Sequence, residues 1–540
     1  MPSITRFGGI IPRKSWHLLQ DNEATVAHDV KLRNGRLEAW REKRVIGQGE
    51  PGAVTLHYHG CCPLTWDTCV AVTDFLPDYG RLFLTGRVDR PETAIVKDCQ
   101  PYYYYLGVPS PQSAVYINGS EEYHRDCAQR AYVYTYVNVF GEESAPSPVS
   151  NVLTIRDGHS VVVSGFSTPP DGYGIEYIRL YRAASGPADF TRKEHSIVTD
   201  FLLVDILPVG IVTYTDNVKE KALGPVCTTR EVRLPPSDLR HLRHVSGTGV
   251  LVGVTDNMVH FSQAYLPYNW PAEYDITLPH NIVNMVTVGS KVFISTDGYP
   301  YVLEGAPDCE PRRCRALADG DTPLPDISCG YAHSAIGTPF GMVYSSKDGL
   351  VLVDDNAGFQ IITSAWFSTD DWIKIKPDTA RLAYWRGYLL CVTDTVSFML
   401  EIDSGKYNDA AEGSLVTISD TPVDMVTTDS GVLVFLEQDQ SITQWDGGNA
   451  LRPYIWESAE LGFSGTNIPI TAKVRTNDII FRLLTPVPNL YYERHITDEY
   501  PFRIARLGRH PSYRIGLYGT GTVDFALLEF MNIELHGGIQ

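Results

Sequence analysis

"GMVYSSKDGLVLV", residues 341–353, has the pattern of a β-hairpin. Apolar residues stand on both sides of a polar turn that contains Asp348 and Gly349. Asp and Gly tolerate the backbone conformations of tight turns, and β-branched residues favour the strands beside them. Single hairpins are common, so what matters is whether the chain repeats this one.

The pattern occurs five times between residues 249 and 445. In each copy a Gly precedes a turn Asp by seven or eight residues, and successive turn Asp residues lie 41, 51, 46 and 45 residues apart. A further apolar stretch precedes most copies, as in "NIVNMVTV" (281–288). The copies are "GVLVGVTDNMVHF" (249–261), "GSKVFISTDGYPYVL" (289–303), "GMVYSSKDGLVLV" (341–353), "GYLLCVTDTVSFML" (387–400) and "GVLVFLEQDQSITQW" (431–445).

Three or more strands in every 40 to 50 residues, roughly, is the period of β-propeller blades. One such sheet cannot bury both faces, whereas sheets packed around an axis bury each other. We therefore predict a mainly β fold: a β-propeller of about five to seven blades with an inserted fibronectin-III-like β-sandwich. The alternative is a β-sandwich with evenly spaced turns. The turns lack the aromatic residue of the sialidase Asp-box, so the Asp residues are expected to close turns.

The remaining segments are also rich in strands. Asn34-Gly35 between alternating strands indicates a hairpin, and "AYVYTYVNV" (131–139), apolar on both faces, indicates a buried strand. Five regions are predicted: an N-terminal arm with the Asn-Gly hairpin (1–52), strands contributing to the propeller or a platform (53–142), the fibronectin-III-like insert (143–222), the propeller blades (223–450), and a C-terminal β region that closes the propeller or forms ring contacts (451–540).

The net charge of the 540-residue chain is −19, and its pI is about 5.2. Such a surface repels phosphate, which argues against a protein that grips DNA but suits a wall along which DNA slides. Ten scattered cysteines are too few for a disulfide scaffold, so we expect them mostly reduced, as in a protein assembled in cytosol. No signal peptide and no membrane segment is expected, so the sequon at Asn118 carries no meaning.

The best metal candidate is His57-X-His59-X-Cys61-Cys62, with Cys69 nearby, because alternate residues of a strand share a face. A second ligand pair at a recognised spacing is missing, and two polar strand tips are the simpler interpretation. The spacing of Cys309 and Cys314, in an Arg-rich loop, fits either a redox pair or no function, and no function is favoured. Walker, Gly-X-Ser-X-Gly and His-Glu-X-X-His motifs are absent from the sequence. The prediction is therefore no catalytic, cofactor-binding or metal residue, no cofactor, and no enzyme.

Several motifs, taken in order, resemble those of the tail nozzle (tail tubular protein B-like) proteins of short-tailed bacteriophages. Gly35, Leu37 and Trp40 stand in a "G-X-L-X-X-W" pattern after a Gly- and Pro-rich arm. Further resemblances lie in "RLFLTGRVDRPETA" (81–94), "YVYTYVNVFGEESAPSPVS" (132–150), and "VHFSQAYLPYNWP" (259–271) with its Ser262, Pro267, Trp270 and Pro271. The resemblance covers about residues 5–400. It departs from the family at Gln263, where the family has Glu. The last 140 residues are similar to the family only in their general strand-rich character.

The resemblance implies a structural virion protein: a tail nozzle or tail-tube component, assembled in the host cytoplasm, whose homo-oligomeric ring, a hexamer, forms an acidic channel for DNA retention and ejection. The implied partners are a tail adaptor or portal-proximal tail protein, tail fibres, and passing viral DNA bound without sequence specificity. Lumen-facing Asp and Glu should then outnumber Lys and Arg. The alternatives are a phage adhesin or baseplate protein that binds host surface glycan, and a propeller glycosidase with paired carboxylates.

Overall fold

The structure is a computed structural model that describes residues 3–75, 80–121, 127–184, 200–303, 314–316, 334–354, 356, 358–402, 414–462, 468–505, 507–508 and 510–531. The fold is mainly β, as predicted. In these residues one α-helix occurs, α1 (Thr369–Lys374), which begins where the Ser368 hydroxyl accepts a hydrogen bond from the Asp371 amide. Single 3-10 turns span Trp16–Leu18, Arg33–Gly35, Glu220–Ala222, Ala272–Tyr274 and Pro377–Thr379. None of the described helices has the length and apolar character needed to cross a bilayer.

The chain forms two units. The first contains residues 1–70, 280–303 and 314–540, and the second contains 71–279 and 304–313. The first unit begins with seven strands: β1 (Ser3–Ile4), β2 (Ala24–His28), β3 (Val30–Lys31), β4 (Glu38–Ala39), β5 (Arg44–Gln48), β6 (Thr55–His59) and β7 (Cys62–Trp66).

The second unit contains fifteen described strands. They are β8 (Ala71–Asp74), β9 (Arg81–Thr85), β10 (Glu92–Lys97), β11 (Gln100–Tyr105), β12 (Tyr116–Asn118), β13 (Cys127–Asn138), β14 (Leu153–Arg156), β15 (Val161–Ser164), β16 (Ile175–Ala184), β17 (Leu202–Pro208), β18 (Thr213–Asp216), β19 (Arg240–Val245), β20 (Val250–Val254), β21 (Met258–Phe261) and β22 (Ile276–Thr277).

The remaining strands return to the first unit. They are β23 (Ile282–Val288), β24 (Lys291–Thr296), β25 (Tyr301–Leu303), β26 (Cys314–Ala316), β27 (Ala335–Thr338), β28 (Gly341–Ser345), β29 (Leu350–Asp354), β30 (Phe359–Ile361), β31 (Arg381–Trp385), β32 (Tyr388–Val392), β33 (Ser397–Glu401), β34 (Leu415–Thr417), β35 (Asp424–Thr427), β36 (Leu433–Leu436), β37 (Ser441–Gln444), β38 (Tyr454–Ser458), β39 (Leu461–Gly462), β40 (Ile468–Thr476), β41 (Ile479–Leu484), β42 (Tyr491–Ile496), β43 (Phe502–Arg503), β44 (Ser512–Gly519) and β45 (Val523–Met531).

Six four-stranded antiparallel meanders dominate the two units. The second unit contains β8–β11 and β19–β22. The first contains β23–β26, β27–β30, β31–β34, and a sixth in which β35, β36 and β37 are completed by β5 from the N-terminal arm. Except where β5 joins β37, the hydrogen bonds of each meander link strands that are neighbours in sequence.

The repeat read from the sequence maps onto five of these meanders. The repeated Gly stands at or just before the second strand, and the repeated Asp lies in the turn between the second and third strands. All five Gly residues have positive φ, for example +63° at Gly249 and +127° at Gly341. A Cβ at Gly341 would lie 1.9 Å from the Val353 carbonyl oxygen. The predicted turn roles of the Gly and Asp residues are therefore confirmed.

A β-sandwich lies between residues 116 and 216 of the second unit. Strands β12, β15 and β18 form one sheet, and β14, β13, β16 and β17 form the other. Tyr132, Tyr134 and Tyr136 point into the core that the two sheets share, while Val133 packs with Tyr181 on the other face of β13. The sandwich thus begins at Tyr116, and the predicted insert range of 143–222 starts too late. Its tyrosine-rich strand is a central sandwich strand because both of its faces are covered.

The N-terminal and C-terminal segments interlock in the first unit. Strand β2 lies between β34 and β38, and β1 pairs with β45. One hydrophobic core contains Trp40 from the arm, Trp385 and Trp445 from the meanders, and Trp456 from the C-terminal region. The Asn34-Gly35 hairpin is confirmed: β3 pairs with β4, and Asn34 and Gly35 have φ of +65° and +73°.

Two cysteines depart from the expectation of reduced thiols. Cys62, in the first unit, and Cys99, in the second, each take part in a disulfide bond. Five others in the described part of the chain form no disulfide, and three of these are buried, where a thiol packs as a small apolar group. They are the exposed Cys61 and Cys69 and the buried Cys127, Cys227 and Cys391.

Candidate functional site

The first strands of the first unit's four meanders form a row that β6 extends. Strand β23 contacts β27, β27 contacts β31, β31 contacts β35, and β35 contacts β6. Two charged residues lie on these five strands, and both are engaged: Arg381 donates to Asp394 at 3.2 Å, and Asp424 accepts from the Leu56 amide at 2.7 Å. The other side chains are apolar, hydroxyl, amide or imidazole groups, so this row presents no acidic wall.

The corresponding row in the second unit is basic. Strand β19 contacts β8 and has the sequence RHLRHV. Arg243 donates to the Val72 carbonyl at 3.2 Å, and burial lowers its pKa to about 10, which leaves it protonated at neutral pH. Burial also lowers the pKa of His244. The first strands of the meanders thus carry no excess of acidic side chains in either unit.

The metal candidates lie in the first unit. His57 and His59 stand on β6, two residues apart, and Cys61 is an exposed free thiol in the turn that follows. Cys62 is disulfide-bonded and offers no thiolate, so one of the sequence candidates is removed. Cys309 lies outside the described residues, and Cys314 begins β26. The absence of a metal-binding residue stays a prediction.

The motif residues behind the family resemblance build turns and core. Ser262 accepts a hydrogen bond from the Leu251 amide at 2.9 Å, and the indole of buried Trp270 donates to the Pro267 carbonyl at 2.9 Å. Gln263 accepts from the Asn269 side chain at 2.7 Å. In the arm, Leu37 and Trp40 are buried in the first unit's core. In the structure these residues hold a turn in shape or fill the hydrophobic core.

A network of three buried and two partly buried charges joins the arm, the last meander and the C-terminal region of the first unit. We call it the charge clamp and define it as Asp29, Lys43, Asp420, Glu437 and Arg452. Arg452 binds Asp420 and lies 3.5 Å from Asp29. Lys43 bridges Asp420 at 2.7 Å and Glu437 at 2.6 Å. Arg452 also lies 3.7 Å from the partly exposed Glu42. Each cation thus contacts at least two acids from different segments of the chain.

The ion pairs of the charge clamp raise the pKa values of its two cations. Burial acts to lower the pKa of Lys43, but its hydrogen bonds to Asp420 and Glu437 outweigh burial and raise that pKa above the usual value. The pKa of Arg452 rises in the same way, through Asp420. The Arg452 guanidinium also lies 4.8 Å from the centre of the Trp445 ring. No sequence motif marks these residues, because they lie up to about 420 positions apart.

A polar cavity of about 360 Å³ lies beside the arm in the first unit. Its two carboxylates already have partners: Glu23 binds Lys14 at 2.5 Å, and Glu401 accepts from Ser414 at 3.1 Å. Gly9 is required there, since a Cβ would lie 2.3 Å from the Leu415 carbonyl oxygen. The polar lining comes from Arg6, Gln20, Asn22, Glu23, Asn34, Glu401 and Ser414. Such a lining suits a small ligand rich in hydroxyl groups.

Comparison with known proteins does not assign the chain to a family. No protein-family model matches the chain, and no curated protein matches it. Two solved structures of AztD from Citrobacter koseri, one of them the apo form, are similar to it. The apo structure has 14% identity and a TM-score of 0.23 and covers 73% of this chain and 99% of its own; the other has 11% and 0.23 and covers 76% and 100%. At these TM-scores the likeness carries no argument about fold or function.

Proposed function

We propose that this chain is a structural subunit of a phage tail, a nozzle or tail-tube component that forms an acidic conduit for DNA. In this proposal the meanders are blades of a β-propeller of about five to seven blades, and the sandwich is a fibronectin-III-like insert. The protein acts by shape and charge and is not an enzyme. Its partners are further copies in a hexameric ring, a tail adaptor and tail fibres, and it resides in the virion tail after assembly in the host cytoplasm.

The observation that carries the proposal is the interlocked first unit. Its arm, meanders and C-terminal strands share one hydrophobic core and are held together by the charge clamp. Groups that are buried and bonded to partners from distant segments make a rigid body. A conduit that holds pressurised DNA needs rigidity of this kind and needs no reacting group.

The charge distribution restricts where DNA would pass. The first strands of the first unit's meanders present no acidic wall, and β19 carries two arginines. DNA phosphates would be held by a basic lining and released by an acidic one. The proposed path is therefore the lumen enclosed by several subunits, lined by the chain's exposed acids, and not the hub between the sheets of one subunit.

Negative-stain microscopy of the purified chain tests the proposal directly. We expect ring-shaped particles with six-fold symmetry and weak affinity for duplex DNA at physiological salt. A monomer at all concentrations, or tight DNA binding that weakens steeply with salt, would contradict it. Turnover of a glycoside substrate would support the glycosidase alternative instead.

The polar cavity favours one second function, binding of a glycan by an adhesin. Its amides and carboxylates can hydrogen-bond sugar hydroxyls. Glycan-array binding that Asn22→Ala abolishes, and that Asn449→Ala at an exposed turn leaves unchanged, would support it. Array signals equal to background would remove this alternative.

A further inference from the structure

The outer face of the C-terminal sheet has the composition of a protein interface. Strands β38, β44, β41 and β42 are neighbours in one sheet, and alternate side chains point to opposite faces. The inner face is buried through Trp456, Phe481 and Leu517. The C-terminal face is the opposite side, defined by Ile455, Glu457, Ile480, Arg482, Leu484, Tyr491, Glu493, His495, Arg514, Gly516 and Tyr518.

The strand register arranges this face in rows. Ile455, Tyr518, Ile480 and His495 form the first row, because each is paired with the next across the sheet. The second row is Glu457, Gly516, Arg482 and Glu493, and the third is Arg514, Leu484 and Tyr491. At the centre of the face, Gly516 leaves room for the Tyr518 ring, because a Cβ at this position would lie 2.6 Å from that ring.

The charges of the face are matched within the subunit. Arg482 donates to Glu493 at 2.6 Å, and its guanidinium lies 4.6 Å from the Tyr518 ring centre and 5.1 Å from that of Tyr491. Glu457 accepts from Arg514 at 2.9 Å and from the Tyr518 hydroxyl at 2.6 Å. The face is therefore preorganised, with its aromatic and guanidinium planes already stacked, and a partner would meet no unpaired charge on these four groups.

Apolar side chains are concentrated on and beside this face. Of the eleven large apolar side chains that are exposed in the described part of the first unit, seven lie between residues 451 and 500. They are Leu451, Ile455, Ile480, Val487, Leu490, Tyr491 and Tyr500. Strand β42 is the last strand at its end of the described sheet, so it also has an edge that another strand could join. Exposed apolar groups at a free strand edge mark an interaction surface.

The net charge of the C-terminal segment favours a second copy of this chain as the partner. Residues 451–540 contain nine Lys and Arg and nine Asp and Glu, so their net charge is zero, while the whole chain carries −19. A ring contact joins two different surfaces, so two acidic surfaces would repel each other, whereas this neutral segment can meet an acidic surface of the next copy without that repulsion. We propose that the C-terminal face, with the edge of β42, is the surface by which one copy of this chain binds a second copy. The inference rests on the proposed ring and adds its contact surface.

The double variant Ile480→Asp with Tyr491→Asp tests the inference. Both side chains are exposed in the subunit, at 37% and 44%, so the changes spare its core while placing charge in the contact. We expect association to weaken by about 100-fold or more in sedimentation velocity. The control is Ile206→Asp with Val212→Asp on the second unit, exposed at 50% and 76%, which should assemble like the wild type.

Hydrogen exchange of the wild type gives a second measurement that needs no variant. Amides of residues 479–496 should be protected in the assembly and lose protection on dilution. Rings that survive the double variant, or a control that dissociates equally, would overturn the proposed surface while the ring remains. A wild type that is monomeric at every concentration would overturn both the surface and the ring.

Discussion

The meanders and the join between the chain ends follow different rules. The meanders are made of strands adjacent in sequence, except for β5 in the last one, and Gly and Asp corners recur in five of them at a visible spacing. The join brings Asp29 and Lys43 to Asp420 and Arg452, across about 400 residues, with no pattern in the sequence. The local geometry of the turns is therefore visible in the sequence as a repeat, whereas the contacts between the two ends of the chain are not visible as any pattern. Four predictions test this contrast.

The largest effect is expected at the charge clamp. Arg452→Met leaves Asp420 and Asp29 buried with one cation fewer, which should cost about 3–5 kcal/mol of unfolding free energy. Urea denaturation measures this loss. The matched control, Arg240→Met, removes an exposed pair with Asp256 and should cost less than about 1 kcal/mol. Equal losses in the two variants would mean that the clamp does not hold the join.

A smaller effect is expected at a meander corner. Gly341→Ala puts a Cβ against the Val353 carbonyl at a φ of +127°, so we expect a loss of about 3 kcal/mol. Gly289→Ala has the same repeat position, a φ of +57° and open space around it, and should cost about 1 kcal/mol. A loss at Gly289 as large as that at Gly341 would show that φ, and not close packing, decides these corners.

The turn aspartates should contribute less. Asp297→Ala removes two hydrogen bonds from Asn281, at 3.0 and 2.9 Å, that tie the turn to the start of the first strand. The expected loss is about 1 kcal/mol, since the groups are exposed. The control is Asp429→Ala, which changes an exposed acid in the turn between β35 and β36. It should change the free energy of unfolding by less than about 0.5 kcal/mol. A neutral Asp297→Ala would contradict the assigned role.

The last prediction concerns the pH dependence of stability at two buried tyrosines, one in each region. Burial raises the pKa of Tyr344 in a meander and of Tyr454 in the join. A raised folded-state pKa means that the unfolded chain loses its proton first, above about pH 10, so stability is complete below that pH and declines as pH rises further. Tyr344→Phe and Tyr454→Phe should each flatten the decline of the urea midpoint above pH 10. A steeper decline in either variant would contradict the sign.

The sequence predicted the local parts of the fold. The Gly and Asp corners, the Asn34-Gly35 hairpin and the buried tyrosine-rich strand all lie where short-range patterns indicated them. The start of the sandwich was wrong because β12 is short and its partner β15 lies about 45 residues later. The charge clamp and the rows of the C-terminal face were not predicted, because strand pairing places them together and no spacing along the chain records it.

The strand β5 has a consequence for synthesis. Its partner β37 leaves the ribosome almost 400 residues after Gln48, which takes roughly 20 to 80 seconds at ordinary translation speeds. During that interval the last four-stranded sheet is incomplete, and a truncated product never completes it. Incomplete products are thus left with an open sheet edge, which gives proteases and chaperones a feature by which to separate them from finished chains.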